Sequence, residues 1–162
     1  MFRILPETPQ DAYEVEFLYD TSFAPGRQAL SSYRLRDGQP PVADLCRTAR
    51  DEYDAVVGAI RYWPVRIGPK DAEALLLGPV AVHPTRQGEG LAGLLIEGTL
   101  EAARATGWTR VILVGDAPYY GRFGFTPAPG LEFPAPTNPD RVLARALSPG
   151  AFDGVSGDLR PW

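Results

Sequence analysis

The stretch with the most chemical potential is Gln87-Gly88-Glu89-Gly90-Leu91-Ala92-Gly93, in which glycine and alanine alternate with larger residues. It follows an apolar run, Leu75-Leu76-Leu77 and then Val80-Ala81-Val82, that reads as a strand buried on both faces. His83-Pro84-Thr85 ends the run, because Pro84 has no N–H to give a sheet ladder. Beyond the glycines, Leu91, Leu94, Leu95 and Leu100 recur at helical spacing. A helix start leaves four N–H groups unpaired and carries about half a positive charge. With small residues in front of it, an anion such as a pyrophosphate comes within hydrogen-bonding distance of those donors. His83 is the only histidine and invites assignment as a base. Its place beside the phosphate turn makes a structural role the better reading.

Three readings of the turn are open. It is an ordinary strand-to-helix connection with incidental glycines, or it binds a dinucleotide, or it binds another phosphate-bearing ligand. Gly88-Glu89-Gly90-Leu91-Ala92-Gly93 does spell G-x-G-x-x-G, the mark of a dinucleotide-binding oxidoreductase. That motif leaves its strand directly and opens one of two βαβαβ halves. Here Pro84-Thr85-Arg86-Gln87 intervenes, and only the 69 residues from Leu94 to Trp162 follow.

The third reading accounts for more residues. Gln87-Gly88-Glu89-Gly90-Leu91-Ala92 resembles the Q/R-x-x-G-x-G/A turn of the GCN5-related N-acetyltransferases, and Val80-Ala81-Val82-His83-Pro84 resembles the V-x-V-x-P strand end that precedes it. Downstream, Tyr119-Tyr120-Gly121-Arg122-Phe123-Gly124-Phe125 resembles that family's F-Y-x-x-x-G-F segment. The run from Gly115 to Phe125 is most similar to the bacterial YhbS-like branch. The resemblance implies an α/β (mixed α+β) fold, with a central, mostly antiparallel twisted sheet splayed between two parallel strands and flanked by helices. It implies acetyl-CoA, or a related acyl-CoA, as donor and a primary amine of a small molecule or protein as acceptor. It also implies no metal, and homodimers in many members. By the same resemblance Val80, Ala81, Val82, Gln87, Gly88, Glu89, Gly90, Leu91, Ala92 and Gly93 bind the donor, Tyr120 is the proton donor and Tyr119 packs inward. Phe23, Tyr33 and Arg34 then fall near the amine pocket, although core or surface roles explain each of them as well.

The chemistry makes its own demands. An amine must attack neutral, yet its ammonium has a pKa near ~10.4, so a proton must leave. Attack produces a tetrahedral oxyanion that needs a pre-placed N–H donor. The backbone at Val80 to Val82 suits that donor, and it also suits pantetheine amides added like a short strand. The leaving thiolate, of pKa about ~8.5 by analogy with cysteine, is helped by a tyrosine hydroxyl within hydrogen-bond reach. The chain departs from the family pattern after its second parallel strand. Gly115-Asp116-Ala117-Pro118 stands where many members have an Asn, and Val111-Ile112-Leu113-Val114 offers no glutamate base. Glu73, Asp116 or water relayed to bulk remain as the base. Arg86 and Arg122 are possible phosphate partners, equally readable as solvated surface charges.

The elements that must hold these residues follow from caps and periodicity. Phe2 to Leu5 reads as a strand. Thr8 caps a helix that has Pro9 in its first turn and buries Val15, Leu18 and Tyr19, and Pro25-Gly26 stops it. A second helix runs from about Arg27 to Leu35. Val42–Thr48 and Asp54–Val65 form a hairpin around Arg50-Asp51-Glu52, with Gly58 as a bulge or close approach. Tyr62 and Trp63, near that strand's end, line a pocket or cap the core. Gly78-Pro79 interrupts the next strand, so a bulge there turns N–H groups out of the sheet. A helix from Gly90 to Ala105, stopped by Gly107, leads to a parallel strand over Arg110–Val114. Ala117 to Arg122 is a short helix, Phe125 onward is irregular, and Arg141 to Leu147 is a last strand.

Length and composition predict one domain over residues 1–147 and a Gly/Pro-rich tail over 148–162, packed on or trailing from it, with no element assigned. A net charge of −4 speaks against non-specific nucleic-acid binding. The single Cys46 excludes an internal disulfide and a thiolate metal cluster, and it reads as a small buried residue. No apolar run suggests a signal peptide or a membrane span, which predicts a cytoplasmic protein. The function expected is acetyl transfer to an amine; a non-catalytic acyl-CoA sensor on the same scaffold is the alternative.

Overall fold

The computed structural model describes residues 1–23, 27 and 30–162. Strand β1 (Arg3–Pro6) leads into the expected helix start. The Asp11 carboxylate accepts from the Thr8 N–H at 2.7 Å and the Thr8 hydroxyl at 3.0 Å, closing a 3-10 turn ahead of helix α1 (Ala12–Ser22). The stop expected at Pro25-Gly26 lies outside the described residues, as do Gln28 and Ala29 of the second helix. What is described of that helix is one turn, α2 (Ser31–Arg34). The hairpin is formed by β2 (Arg47–Arg50) and β3 (Val56–Ile67). It starts later than expected because Ala43–Leu45 coil into a 3-10 turn. Then come β4 (Ala72–Val82), α3 (Leu91–Ala105), β5 (Arg110–Val114) and α4 (Ala117–Gly121). The irregular stretch holds two minimal strands, β6 (Thr126–Pro127) and β7 (Leu131–Glu132), before β8 (Val142–Ala146). The tail supplies one more, β9 (Gly157–Pro161), which pairs with the end of β3 through Leu159 and Ile67.

The sheet runs β1-β2-β3-β4-β5-β8-β6, with β9 beside β3 and β7 beside β9. Along that path every pairing is antiparallel except β4 with β5. This one parallel pair is brief: Leu75 faces Val111, Leu76 faces Ile112, and there the ladder ends. Beyond it β4 continues to Val82 against β3 alone, while β5 continues to Val114 against β8. On the other side of β4 the register with β3 slips between Leu77 and Val80, at Gly78-Pro79. The expected bulge and the expected splay therefore occur together, and the sheet opens into a V.

Alternate residues of the strands feed opposite faces, as the period of two requires. Val57, Tyr62, Leu75, Leu77, Val111 and Leu113 pack with Leu91, Leu95 and Ile96 of α3. On the other face Val56, Ala59 and Ala81 meet Val15, Leu18 and Tyr19 of α1. Gly58 is a close approach: a Cβ there would lie 3.1 Å from side-chain atoms of both Leu91 and Leu95. A larger residue would push α3, and the turn in front of it, away from the sheet. Among the described residues no helix is long and apolar enough to cross a membrane.

Candidate active site

The crossover fixes the glycine turn at the mouth of the V. His83 accepts from the Thr85 N–H at 3.2 Å, and its Nδ1 lies 2.8 Å from the Thr85 hydroxyl, so the imidazole caps the 3-10 turn over Pro84–Arg86. Gln87 donates to the Val82 carbonyl at 3.3 Å and ties the turn back to the strand end. Gly88 and Gly90 have φ of +87° and +78°, a left-handed backbone that glycine enters without a Cβ penalty. Nothing lies within 4 Å of where a Cβ would stand on either, so the space before the first N–H groups of α3 is open.

That space is part of a cleft of about 750 Å³. One wall is the β4 edge Val80-Ala81-Val82, the floor is the turn and the start of α3, and the far wall is Tyr119, Tyr120 and Phe123. A second, smaller cleft of about 130 Å³ lies across the sheet, between Phe23, Tyr33 and Arg36 on one side and Leu77 to Val80 on the other. The two clefts share Val80 and Tyr120. A molecule filling the first and a molecule filling the second would touch at those two residues.

Tyr120 is held there by backbone and by neighbours. Its N–H donates to the Asp116 carbonyl at 3.0 Å, and its own carbonyl accepts from Phe123 at 3.0 Å. Its ring packs edge-on against Tyr119 and Phe125, at 5.0 and 6.1 Å between centroids. The hydroxyl makes no hydrogen bond with a described residue. Burial, with the neighbouring Tyr119 adding to it, pushes the Tyr120 phenol up to about 12. The hydroxyl is therefore a donor at any physiological pH.

The bulge in β4 is held as firmly. The buried Tyr19 hydroxyl donates to the Pro79 carbonyl at 3.1 Å, and the Trp63 indole donates to the Gly78 carbonyl at 2.8 Å. With both carbonyls engaged by side chains from α1 and β3, the segment before Val80 has no freedom to rotate back into a regular ladder. No sequence motif marks Tyr19 or Trp63 for this task. Their partners are 60 and 15 residues away.

The donor-binding set expected from the sequence comes together around the larger cleft, apart from one residue. Val80, Ala81, Val82, Gln87, Gly88, Gly90, Leu91, Ala92 and Gly93 all line it. Glu89 does not; its carboxylate turns to Arg86 at 3.9 Å. Arg86 is itself committed to Asp51 at 3.1 Å and Glu52 at 2.6 Å, which leaves Arg122 as the less engaged cation on the wall. Tyr119, expected to pack inward, does pack on Phe123 at 5.5 Å but also faces the cleft beneath the Arg122 guanidinium. Neither carboxylate suggested as base lines a cleft. Glu73 sits exposed at the start of β4 near Arg66, and Asp116 accepts from the Tyr119 N–H at 3.1 Å as the cap of α4. Of the acceptor-side candidates Phe23 and Tyr33 line the small cleft, whereas Arg34 points to the Ala135 carbonyl. Tyr62 is core, its hydroxyl 2.7 Å from that of Thr99. Arg36 was not anticipated; it lies two positions past Arg34, where helical periodicity is already lost.

A parallel strand pair that parts over a glycine turn, with a protonated phenol across the gap, is the scaffold of an acyltransferase. Residues 15–128 match the family model described as an acetyltransferase (GNAT) domain, and the chain belongs to the GCN5-related N-acetyltransferase family. It is similar to the uncharacterized N-acetyltransferase YhbS of Escherichia coli K12, with 29% identity over 153 residues that cover 93% of this chain and 90% of the relative. The structure of the E. coli YhbS protein in complex with CoA superposes with a TM-score of 0.84 at 27% identity, covering 100% of this chain and 89% of that one. A GNAT-family acetyltransferase from Brucella melitensis in complex with acetyl-CoA gives a TM-score of 0.77 at 29% identity, over 100% and 96% of the two chains.

Proposed function

We propose that this acetyltransferase carries an acetyl group from acetyl-CoA to a primary amine, with the thioester reaching the junction of the two clefts from the larger side and the amine from the smaller. The observation that carries this reading is that the clefts meet at Val80 and Tyr120. The pyrophosphate of the donor rests on the amides of Gly88 to Gly93, and its pantetheine arm runs along Val80–Val82. The amine nitrogen attacks the acetyl carbon. A C–N bond forms, and the carbonyl electron pair moves onto oxygen, facing a backbone N–H at the bulge. The C–S bond then breaks as the carbonyl re-forms. The surplus amine proton leaves to water, because among the described residues no carboxylate lines the small cleft.

The burial that keeps Tyr120 protonated also makes it a weak acid. With a phenol near 12 and a thiolate near ~8.5, complete proton transfer to sulfur is uphill. The hydroxyl therefore acts as a hydrogen-bond donor to the departing sulfur, and solvent supplies the final proton. The acceptor cleft is small beside the ~300–1,000 Å³ of drug-sized ligand sites, which favours a compact amine. Incubation of the purified protein with acetyl-CoA and a panel of amines, followed by thiol release and product mass, tests the reading. Acetyl-CoA-dependent acetylation of at least one amine supports it. Tight acetyl-CoA binding with no turnover on small amines or on peptide amines would leave a sensor, and the reading would fall.

A further inference from the structure

The acceptor cleft contains a cation that stacks on aromatic rings but has no carboxylate partner among the described residues. Arg36 follows α2 and enters the cleft between aromatic rings, its guanidinium carbon 3.8 Å from the Tyr33 centroid and 5.4 Å from that of Trp63. Its Nε is buried without a hydrogen-bond partner, and among the described residues no carboxylate lies within 4.0 Å of it. Two neighbouring arginines show the contrast. Arg27 is held by Glu16 at 2.7 Å and Asp20 at 2.9 Å, and Arg61 by Glu7 at 2.9 Å and Glu16 at 2.5 Å. The third arginine of this region lacks what the other two have. Burial pulls the Arg36 guanidinium below its ordinary range, with the adjacent Tyr33 opposing that shift.

We propose that the acceptor is an amine that also carries a carboxylate, and that Arg36 is the group that binds this carboxylate while the amine end lies at Val80 and Tyr120. The inference rests on the acetyl-transfer reading above and narrows its substrate class. A half-buried cation without a counter-ion is partly desolvated at a cost, and a bound carboxylate offsets that cost while accepting two parallel N–H bonds from the planar fork. Stacking on Tyr33 and Trp63 fixes the plane of the fork and so the direction from which a carboxylate can approach. Apart from Ser32 and from Arg27, which Glu16 and Asp20 already pair, the remaining lining is apolar, with Leu30, Leu76, Leu77 and Val114 among it, which suits an aliphatic or aromatic amino acid better than a polyamine.

The test uses matched probes: L-leucine and L-phenylalanine, each beside its carboxamide, with acetyl-CoA and the full-length protein. The expected result is a wild-type kcat/KM, referred for each probe to its neutral-amine concentration, that is higher for the acids than for the amides by roughly tenfold to a hundredfold, the size of a hydrogen bond to a charged group. In Arg36→Met the acid-to-amide ratio collapses to about one, mainly through KM for the acids, and Arg36→Lys restores part of it. The acetyl-CoA Kd and the melting temperature of each variant serve as the folding control. Amides used as well as acids by the wild type, or an acid preference that survives in Arg36→Met, would overturn the inference. So would refusal of all four probes alongside turnover of amines that carry no carboxylate, an outcome that leaves the acetyl-transfer reading standing. Failure of the wild type to bind acetyl-CoA at all would instead sink that earlier reading.

Discussion

A Cβ built on Gly115 would stand 2.5 Å from Cε2 and 2.9 Å from Cδ2 of Tyr120, so the ring of Tyr120 occupies the space that any other residue at position 115 would need. Leu113 closes the remaining side at 3.0 Å. The phenol thus owes its place at the junction of the clefts to an absent side chain at the end of β5. Gly115→Ala cannot be absorbed by a flexible chain end, because the clashing atoms belong to a rigid ring. The variant should lose about 1–3 kcal/mol of stability, as overpacked sites do, and should move the hydroxyl off its position. A lower kcat with an almost unchanged acetyl-CoA Kd is the expected pattern, read from steady-state kinetics and calorimetry. Unaltered kcat would mean that the position of Tyr120 is irrelevant to turnover.

Removing the hydroxyl itself, in Tyr120→Phe, should lower kcat by roughly 10²-fold, within reach both of a hydrogen bond to a developing charge and of proton donation. The pH profile separates the two roles. With its pKa pushed up to about 12, the phenol stays protonated through the accessible range. The rate should therefore rise with pH as the amine loses its proton, with no descending limb below about pH 10. A fall in kcat centred near pH 8 in the wild type that vanishes in Tyr120→Phe would show that the phenol ionises far more easily than its burial allows.

At the glycine turn the sensitive position is Gly90, which caps α3 at φ +78° with open space in front. Valine there meets two penalties. The left-handed backbone costs a β-branched residue about 1–3 kcal/mol, and the side chain fills the volume claimed by a pyrophosphate. Gly90→Val should raise the acetyl-CoA Kd tenfold or more, the equivalent of about 1.4 kcal/mol, while circular dichroism remains that of a folded chain. An unchanged Kd would move the phosphate elsewhere along the cleft.

The turn, the crossover and the tyrosine segment were legible because each rests on local chemistry. Glycines before a helix start, a proline that ends a ladder, and apolar spacing that switches from strand to helix all lie within a few residues of one another. β5 was read to the residue, since a short apolar run after Gly107 leaves little choice of bounds. Local signals failed where the structure depends on distant partners. Nothing near Gly157 announces that it begins a strand whose ladder partner is the end of β3. Thr126–Pro127 and Leu131–Glu132 are too short for any period to show. At the site, Glu89 sits in the right motif yet faces Arg86, since a motif fixes the backbone path and not the direction of an exposed side chain. Arg36 was invisible for the opposite reason. Its importance lies in what fails to surround it, and only packing reveals that.

The ion pairs at the base of the acceptor side supply a last prediction, on stability rather than rate. Glu16 of α1 accepts from Arg27 at 2.7 Å and from Arg61 of β3, joining the helix to the sheet next to the small cleft. Burial works to raise its pKa, but hydrogen bonds and attraction from Arg27 and Arg61 outweigh it, and the carboxyl titrates below its ordinary value. A carboxylate depressed in the folded state contributes stability above its unfolded pKa of about 4.3–4.5, and that contribution fades as pH falls through the lower folded value. The melting temperature should hold from pH 7 to about 5 and then drop. Glu16→Gln should melt lower than the wild type at pH 7, with the gap narrowing as the pH approaches 3. Because the Glu16 side chain is 44% exposed, and Arg27 and Arg61 keep Asp20 and Glu7, solvent screening should hold the loss at pH 7 to ~0–1 kcal/mol. A gap that stays constant from pH 7 to pH 3 would show that Glu16 acts through packing alone and that its charge does not couple α1 to β3.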